Sequence, residues 1–301
     1  MPFTILKEPA ENIRNQVVNR GLAEFEKYEK IYADYKTTMS NDQVTEYENI
    51  SFNRAFVELD KVQIDINYEN KELLRDSNQK VMNVISNILP TFIGGSADTV
   101  TSTKTYLNGA GDLNAKNYLG KNIAFGVREN LMGAVLNGLA LSGFRPFGST
   151  FLAFSDYMKP SIRMSALMNL PVTYIFTHDS ITVASDGPTH EPVEQLASLR
   201  SIPNLYVYRP ADIKEIIGTY NTILNDKKPS VISLARTEVK AQEGTKSPLV
   251  SKGAYIVSKE NERIDLILLA TGAEVQVAIS VKERLKNEGI DVRVVSMPSM
   301  E

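Results

Sequence analysis

The sequence predicts an α/β fold, a mostly parallel sheet with helices on both faces. Two observations carry that expectation. From Arg75 onward, short apolar runs alternate with stretches of helical periodicity, the pattern of strands joined by crossover helices. The first such run, Phe92-Ile93-Gly94-Gly95, is apolar and is stopped by glycines, as a buried strand would be.

Before Arg75 the chain has a different character. Between Ala10 and Lys36, Ile13, Val17, Leu22, Phe25, Tyr28 and Tyr32 recur at mostly three- and four-residue spacing, which predicts one or two amphipathic helices. Residues 37–71 are polar and nearly free of Gly and Pro, and read as a linker with short helical pieces. Val81, Ile85 and Leu89 keep helical spacing up to Pro90, where the first strand begins. Further strands are expected over 123–126, 146–150, 172–177, 205–208, 231–235 and 266–271, with helices over 129–141, 154–168, 193–199, 213–224 and 274–287. The stretches 264–271, 274–287 and 291–296 form a final strand–helix–strand unit. Two strands and a helix bury no core of their own, so this unit either completes the main sheet or opens an unfinished domain. Its helix is expected to leave an apolar face uncovered.

Composition excludes several chemistries. The 301 residues contain no Cys and two His, which rules out disulfides, thiolate metal sites and a thiol nucleophile. A net charge of −3 gives no general attraction to nucleic acid or acidic membranes. The most apolar stretch, 264–270, is too short to span a bilayer, and the first residues do not resemble a signal peptide. A cytoplasmic protein with no nucleic-acid or membrane partner is expected.

In parallel sheets ligands gather at the carboxyl ends of the strands. That singles out Gly94-Gly95-Ser96-Ala97-Asp98, Gly126-Val127-Arg128-Glu129 and Thr177-His178-Asp179-Ser180. His178 and His190 are the natural proton carriers near neutral pH, with Asp186 beside them; the alternative is a pair of surface-loop histidines joined by a Gly-Pro turn. A serine hydrolase would need a Gly-x-Ser-x-Gly elbow, which the chain lacks. Gly109-Ala110-Gly111 opens like a dinucleotide fingerprint, but Asn114 stands at the third glycine position. Phosphate binding therefore falls to scattered arginines such as Arg75 and Arg236. Glu129 follows a strand and opens a helix, where a carboxylate either complements the helix dipole or serves chemistry. Phe151, Phe154 and Tyr157 lie at i, i+3 and i+6 and share one helical face or turn, ordinarily a core stripe.

Five motifs in register resemble transketolase: Gly94-Gly95-Ser96-Ala97-Asp98, Asn117-Tyr118-Leu119-Gly120 before Phe125-Gly126-Val127-Arg128-Glu129, Phe151-Leu152-Ala153-Phe154-Ser155-Asp156-Tyr157, His178-Asp179-Ser180-Ile181, and Asp186-Gly187-Pro188-Thr189-His190. The resemblance is close from Arg75 to about Arg236 and loose before. It implies a pyrimidine-binding domain of a thiamine diphosphate enzyme over 75–245, preceded by a linker with amphipathic helices over 1–74. A connecting segment and incomplete C-terminal domain follow over 246–301. It further implies that Glu129 hydrogen-bonds the aminopyrimidine ring nitrogen, that Phe151, Phe154 and Tyr157 hold the ring, and that Asp98 lies near the cofactor. Arg75, Ser102, His178 and Arg236 match sugar-phosphate contacts. His190 and Asp186 match contacts to donor hydroxyls near the reacting carbon, which makes Glu129 and His190 the implied catalytic residues. The implied reaction moves a two-carbon ketol unit from a ketose phosphate to an aldose phosphate, a step of the pentose phosphate pathway.

The chain departs from the family pattern in three places. Asn130 stands where the family has His, and Ser185 where it has Glu. The Gly-Asp-Gly motif that holds the diphosphate's divalent metal, Mg or Ca, is missing, so no metal ligand is assigned here. The expectation is a transketolase portion, split subunit or truncated product, that needs a diphosphate-binding domain or subunit, works in a homodimer or heterotetramer, and is inactive alone. A non-catalytic fragment that keeps the fold and a dihydroxyacetone synthase-like ketol transferase are the alternatives. The His178-Asp179-Ser180 motif favours transketolase over deoxyxylulose-phosphate synthases and the beta subunits of 2-oxoacid dehydrogenases.

Overall fold

A computed structural model describes residues 4–51, 57–64 and 68–301, and the chain divides into two compact units, Met1–Arg54 and Ala55–Glu301. In the first unit the predicted periodicity becomes one uninterrupted helix of 31 residues, α1 (Lys7–Thr37), followed by α2 (Asn41–Ser51). Ser40 and Gln43 form a reciprocal cap at the start of α2: the Ser40 amide donates to Gln43 Oε1 at 2.9 Å and the Gln43 amide to Ser40 Oγ at 3.3 Å. Tyr47 meets Tyr32 and Tyr35 at ring distances of 5.7 and 6.2 Å, and Lys36 pairs with Glu48 at 2.6 Å. No residue of α1 is buried; Ile13, Val17, Leu22 and Phe25 are all exposed.

The second unit begins with buried Val57 and Leu59, which lie in the stretch read as a linker and pack into the main core. A two-residue strand, β1 (Glu72–Leu73), then leads into α3 (Leu74–Ile88). The chain continues through β2 (Phe92–Ser96), the single turn α4 (Val100–Thr103), β3 (Asn122–Ala124) and α5 (Glu129–Leu141). Next come β4 (Arg145–Phe151), α6 (Lys159–Met168), β5 (Thr173–Thr177) and α7 (Gln195–Arg200). The sheet is completed by β6 (Tyr206–Tyr208), α8 (Ile213–Asp226) and β7 (Ser230–Leu234). Strand order is β3-β2-β4-β5-β7-β6, parallel throughout. Because β3 lies on one side of β2 and β4 on the other, the chain reverses direction there, and such a switch point opens a crevice at the carboxyl ends.

Every residue of β2, β4, β5 and β7 is buried. Alternation along the strands explains how. Phe147 and Ile175 join a cluster with Val81, Met82 and Ile85 of α3 and Ile216 and Tyr220 of α8. Tyr174 and Phe176 join the opposite cluster with Met132 and Leu136 of α5 and Ile162 of α6. Gly94 and Gly95 are required where strands crowd: a Cβ would stand 1.9 Å from the Phe147 carbonyl oxygen at the first and 1.8 Å from that of Ile123 at the second.

The expected helix over 154–168 is divided. Residues Leu152–Met158 form a 3-10 helix, and α6 starts at Lys159 because Pro160 belongs in a helix's first turn.

After the two-residue β8 (Glu238–Val239), which pairs with β1, the C-terminal segment builds its own sheet. It consists of β9 (Tyr255–Ser258), β10 (Leu266–Ala270) and β11 (Val292–Ser296), with α9 (Glu274–Lys286) crossing between the last two. The order is β10-β11-β9; β10 and β11 are parallel and β9 is antiparallel. The sequence reading did not anticipate β9, which supplies buried Tyr255 and Val257 to a core with Ala211, Val275, Val292 and Val294. The uncovered apolar surface lies mainly on the strand and not on the helix as expected. On β10, Leu266, Ile267 and Leu269 are 39%, 47% and 64% exposed, whereas α9 buries Val275 and exposes Val277. The reason is that β10 is an edge strand covered on one face only. Among the described residues no helix is long and apolar enough to cross a membrane.

Candidate functional site

The parallel sheet aligns its carboxyl ends along one edge, with neighbouring strands about 4.8 Å apart. Along that edge β3 leads to Glu129, β2 to Asp98, β4 ends in Phe151, β5 leads directly to His178 and β7 to Arg236. Residues far apart in sequence thus become neighbours.

The 3-10 turn that follows β4 has three residues per turn, which places Phe151, Phe154 and Tyr157 one above another. Ring distances are 5.6 Å between the first pair and 6.2 Å between the second. Phe151 also packs 4.0 Å from the His178 ring and 5.7 Å from His190, while Phe154 lies 5.1 Å from His190. Both histidines and both phenylalanines therefore form one cluster. Tyr157 is 65% exposed at its rim.

His178 is 2% exposed and adopts a left-handed backbone, φ 62°. Its Nδ1 sits 2.8 Å from the Thr177 hydroxyl. Burial, followed by the positive charges of Arg236 and Arg75, pushes its pKa down to about 4, against the opposing pull of Asp186. The ring is neutral at pH 7. Arg236 pairs with Asp186 at 3.1 Å and reaches the Val183 carbonyl at 3.4 Å. Arg75 donates to the Ser102 carbonyl at 2.9 Å, and its buried Nε has no partner among the described residues. Of the residues singled out for the substrate side, Arg75, Arg236, Asp186 and His190 act electrostatically on the His178 ring, and Ser102 is linked only through the bond its carbonyl accepts from Arg75.

Glu129 opens α5 and is 9% exposed. The preceding turn closes on itself, since Arg128 Nη1 donates to the Phe125 carbonyl at 3.1 Å across Gly126, whose φ is 65°. Among the described residues the Glu129 carboxylate makes no hydrogen bond or ion pair. Its helix packs against the aromatic 152–158 segment. Asn130 is tied to α6, with the Ser161 hydroxyl 2.9 Å from its carbonyl and 2.8 Å from Oδ1.

Asp98 is exposed, with φ 62°, and lines a pocket of about 270 Å³ with Ser96, Thr105, Asp112 and Asn122. None of the aromatic-histidine cluster lines that pocket. Among the described residues no three His, Asp or Glu side chains gather as metal ligands would.

Two supports escaped the sequence reading. Gln195, 6% exposed, donates to Asp156 at 2.8 Å and accepts the Val193 amide at 2.9 Å, joining the loop after His190 to the aromatic segment. Asp179 is buried against Arg209 at 2.7 Å. Asp179 lies beside His178 and was visible in the motif; nothing in the sequence pointed to Arg209 or Gln195.

Comparison with known proteins finds relatives in one family. The family model for the pyrimidine-binding domain of transketolase matches residues 72–242, and the model for a transketolase-like C-terminal domain matches 253–301. A probable transketolase of Streptococcus pneumoniae is 44% identical over 304 residues, covering 100% of this chain and 46% of the relative. The Bacillus subtilis transketolase is 52% identical over 233 residues, covering 75% of this chain and 35% of that protein. The chain spans less than half the length of these curated relatives. A Pichia stipitis transketolase complexed with sedoheptulose 7-phosphate superposes with TM-score 0.89 at 31% identity, covering 100% of this chain and 45% of that one. A split-gene transketolase described as an inactive beta4 tetramer gives TM-score 0.61 at 25% identity, covering 76% of this chain and 73% of that chain.

Proposed function

The chain belongs to the transketolase family, and from that premise we propose that it is the pyrimidine-binding portion of a thiamine-diphosphate-dependent ketol transferase acting on sugar phosphates. The observation that carries this reading is the unpaired carboxylate of Glu129, nearly buried at the head of a helix packed against the aromatic segment. A carboxylate with no partner among the described residues, on a helix packed against the aromatic segment, fits an aminopyrimidine, which needs a planar apolar contact and one charged hydrogen-bond partner. When bound, thiamine diphosphate supplies the nucleophilic carbon and the electron sink.

In this reading Glu129 holds the proton at the pyrimidine ring nitrogen, and Phe151, Phe154 and Tyr157 hold the ring. Asp98 stands near the cofactor. Arg75 and Arg236 supply positive charge for the substrate phosphate. His178, neutral at pH 7, contributes a hydrogen bond and not a charge. Ser102 completes that end. His190 and Asp186 take the donor hydroxyls next to the reacting carbon, where His190 moves protons.

The same proposal divides the chain into a linker (1–74), the pyrimidine-binding domain (75–245) and a C-terminal portion (246–301). It assigns the divalent metal and the diphosphate to a partner domain or subunit, within a homodimer or heterotetramer in the cytoplasm. Two packed helices support such association: α5 exposes Leu131, Val135 and Leu141, and α6 exposes Met164, Leu167 and Met168. The split-gene neighbour supports it as well.

The test is to mix the chain with a diphosphate-binding transketolase half and assay ketol transfer from a ketose phosphate to ribose 5-phosphate. Glu129→Gln should lower kcat by at least about a hundredfold. Unchanged activity in that variant would remove the central assignment.

A further inference from the structure

Resting on the reading above, we propose that Arg209 is a positioning residue for the phosphate end of the site. It clamps the His178–Asp179 turn to residues 271–274 of the C-terminal segment, so that the smaller sheet helps hold the His178 ring in place.

Arg209 follows β6 and is 6% exposed. Its Nε donates to Asp179 Oδ2 at 2.7 Å and its Nη2 to Oδ1 at 3.3 Å, a two-pronged pair. The Ser233 hydroxyl on β7 adds a 3.2 Å bond to the same Oδ2. From the other side of the guanidinium, Nη1 donates to the Thr271 carbonyl at 2.8 Å and to Glu274 Oε2 at 2.5 Å. The Arg209 backbone is held as well: its carbonyl accepts from the Gly272 amide at 2.9 Å and the Thr271 hydroxyl at 3.2 Å, and its amide donates to the Pro298 carbonyl at 2.7 Å. Gly272, at φ 62°, leaves room for the arginine; a Cβ there would stand 2.9 Å from its Cγ.

A buried ion pair is a weak source of stability, because desolvation offsets most of the attraction. What a two-pronged pair supplies is geometry. The residue that needs geometry is the neighbour of Asp179. His178 sits at φ 62°, a conformation uncommon for a side chain bearing a Cβ and therefore one that neighbouring contacts help to hold. Thr177 restrains the ring at Nδ1, and Phe151 packs on it at 4.0 Å. The Arg209–Asp179 pair restrains the backbone on the other side. Loosening it would swing the imidazole away from Arg75, Arg236, Asp186 and His190, the charged and titratable groups around it.

With only two histidines in the chain, the test is unusually clean: their ring protons can be followed by NMR in the full chain. Arg209→Met with Asp179→Asn removes both buried charges together, so a change that persists in the double variant reports position and not electrostatics. The expected result is that the His178 ring protons lose the shift imposed by the Phe151 ring while those of His190 hold. Arg209→Lys, which keeps the charge but loses the fork, should give an intermediate displacement. With the diphosphate-binding half added, the double variant should raise KM for a phosphorylated donor about tenfold, leave kcat within about threefold, and leave KM for an unphosphorylated ketose donor in place. Unmoved His178 signals in the double variant would overturn the proposal. So would equal movement of both histidines with collapse of amide dispersion, which would make the pair merely structural. Failure of ketol transfer in the unmodified mixture would count against the functional reading alone, because the NMR experiment needs no activity.

Discussion

The six-stranded and three-stranded sheets of Ala55–Glu301 are assembled from similar strand–helix–strand pieces, yet they reach different degrees of burial. In the larger sheet, helices α3 and α8 cover one face and α5 and α6 the other, so β2, β4, β5 and β7 are buried along their whole lengths. In the smaller sheet α9 covers one face of β10, and the opposite face of that strand is open. A crossover helix covers only the face it packs on; the other must come from elsewhere in the chain or from another molecule. The candidate site follows this difference. Its residues project from the carboxyl edge of the larger sheet, and the C-terminal segment is tied to that sheet's β6–α8 stretch by bonds of Arg209 to Thr271 and Glu274 and of Glu215 to Tyr255 and Ser296.

If the larger sheet is the rigid base, truncating its core must be costly. Phe176 is 0% exposed on β5 and stacks on Tyr174 at 6.2 Å. Phe176→Ala should destabilise the protein by about 3–5 kcal/mol, read from denaturant midpoints. A loss below about 1 kcal/mol would erase the distinction between the sheets.

The junction of the two sheets should respond to pH. Glu215 of α8 is 0% exposed and accepts bonds from Tyr255 of β9 at 2.7 Å, Ser296 of β11 at 2.6 Å and the Ala211 amide at 2.8 Å. Burial foremost, with Asp212 adding to it, raises its pKa from 4.5 to about 7 against the hydrogen bond from Ser296. The folded state therefore holds this proton more tightly than the unfolded chain. Its contribution is fully present below pH 4.5 and is lost as pH rises through 7. Relative to Glu215→Gln, the unmodified chain should lose on the order of 3 kcal/mol between pH 4.5 and 7.5. A difference between the two proteins that stays constant over that window would remove the assignment.

Much of the larger sheet was legible because buried strands such as β2 and β5 carry short local apolar runs, Phe92-Ile93 and Tyr174-Ile175-Phe176, bounded by Gly or polar residues, although β4 is buried without being one. The smaller sheet was less so. In β9 only Tyr255 and Val257 are buried, too short an alternation to stand out beside polar neighbours. Pro160 did carry a readable signal, since it marks a helix's first turn and so separates the 3-10 segment from α6. For the site, His178, His190, Phe151 and Phe154 could be singled out by residue type and motif. The left-handed backbone of His178 could not, because nothing local demands it of a histidine. Arg209 was invisible for another reason: its partners Asp179, Thr271 and Glu274 lie 30, 62 and 65 residues away, and only the packed fold brings them together.

The smallest expected effect probes the open face directly. Leu269 on β10 is 64% exposed, whereas Val294 on the adjacent β11 is 0% exposed. Little apolar surface leaves water at Leu269 on folding, so Leu269→Lys should change stability by no more than about 0.5 kcal/mol. Val294→Ala removes buried methyl groups and should cost about 2 kcal/mol. The two strands are hydrogen-bonded neighbours, so both substitutions are read within the same sheet. Should Leu269→Lys cost as much as Val294→Ala, β10 is covered in solution, either by another molecule or from elsewhere in the chain. That outcome carries its own check: stability supplied by a second copy rises with protein concentration, while stability supplied within the chain does not. Denaturation at two concentrations a hundredfold apart, run alongside sedimentation, therefore decides whether the smaller sheet's open face is a property of the free chain.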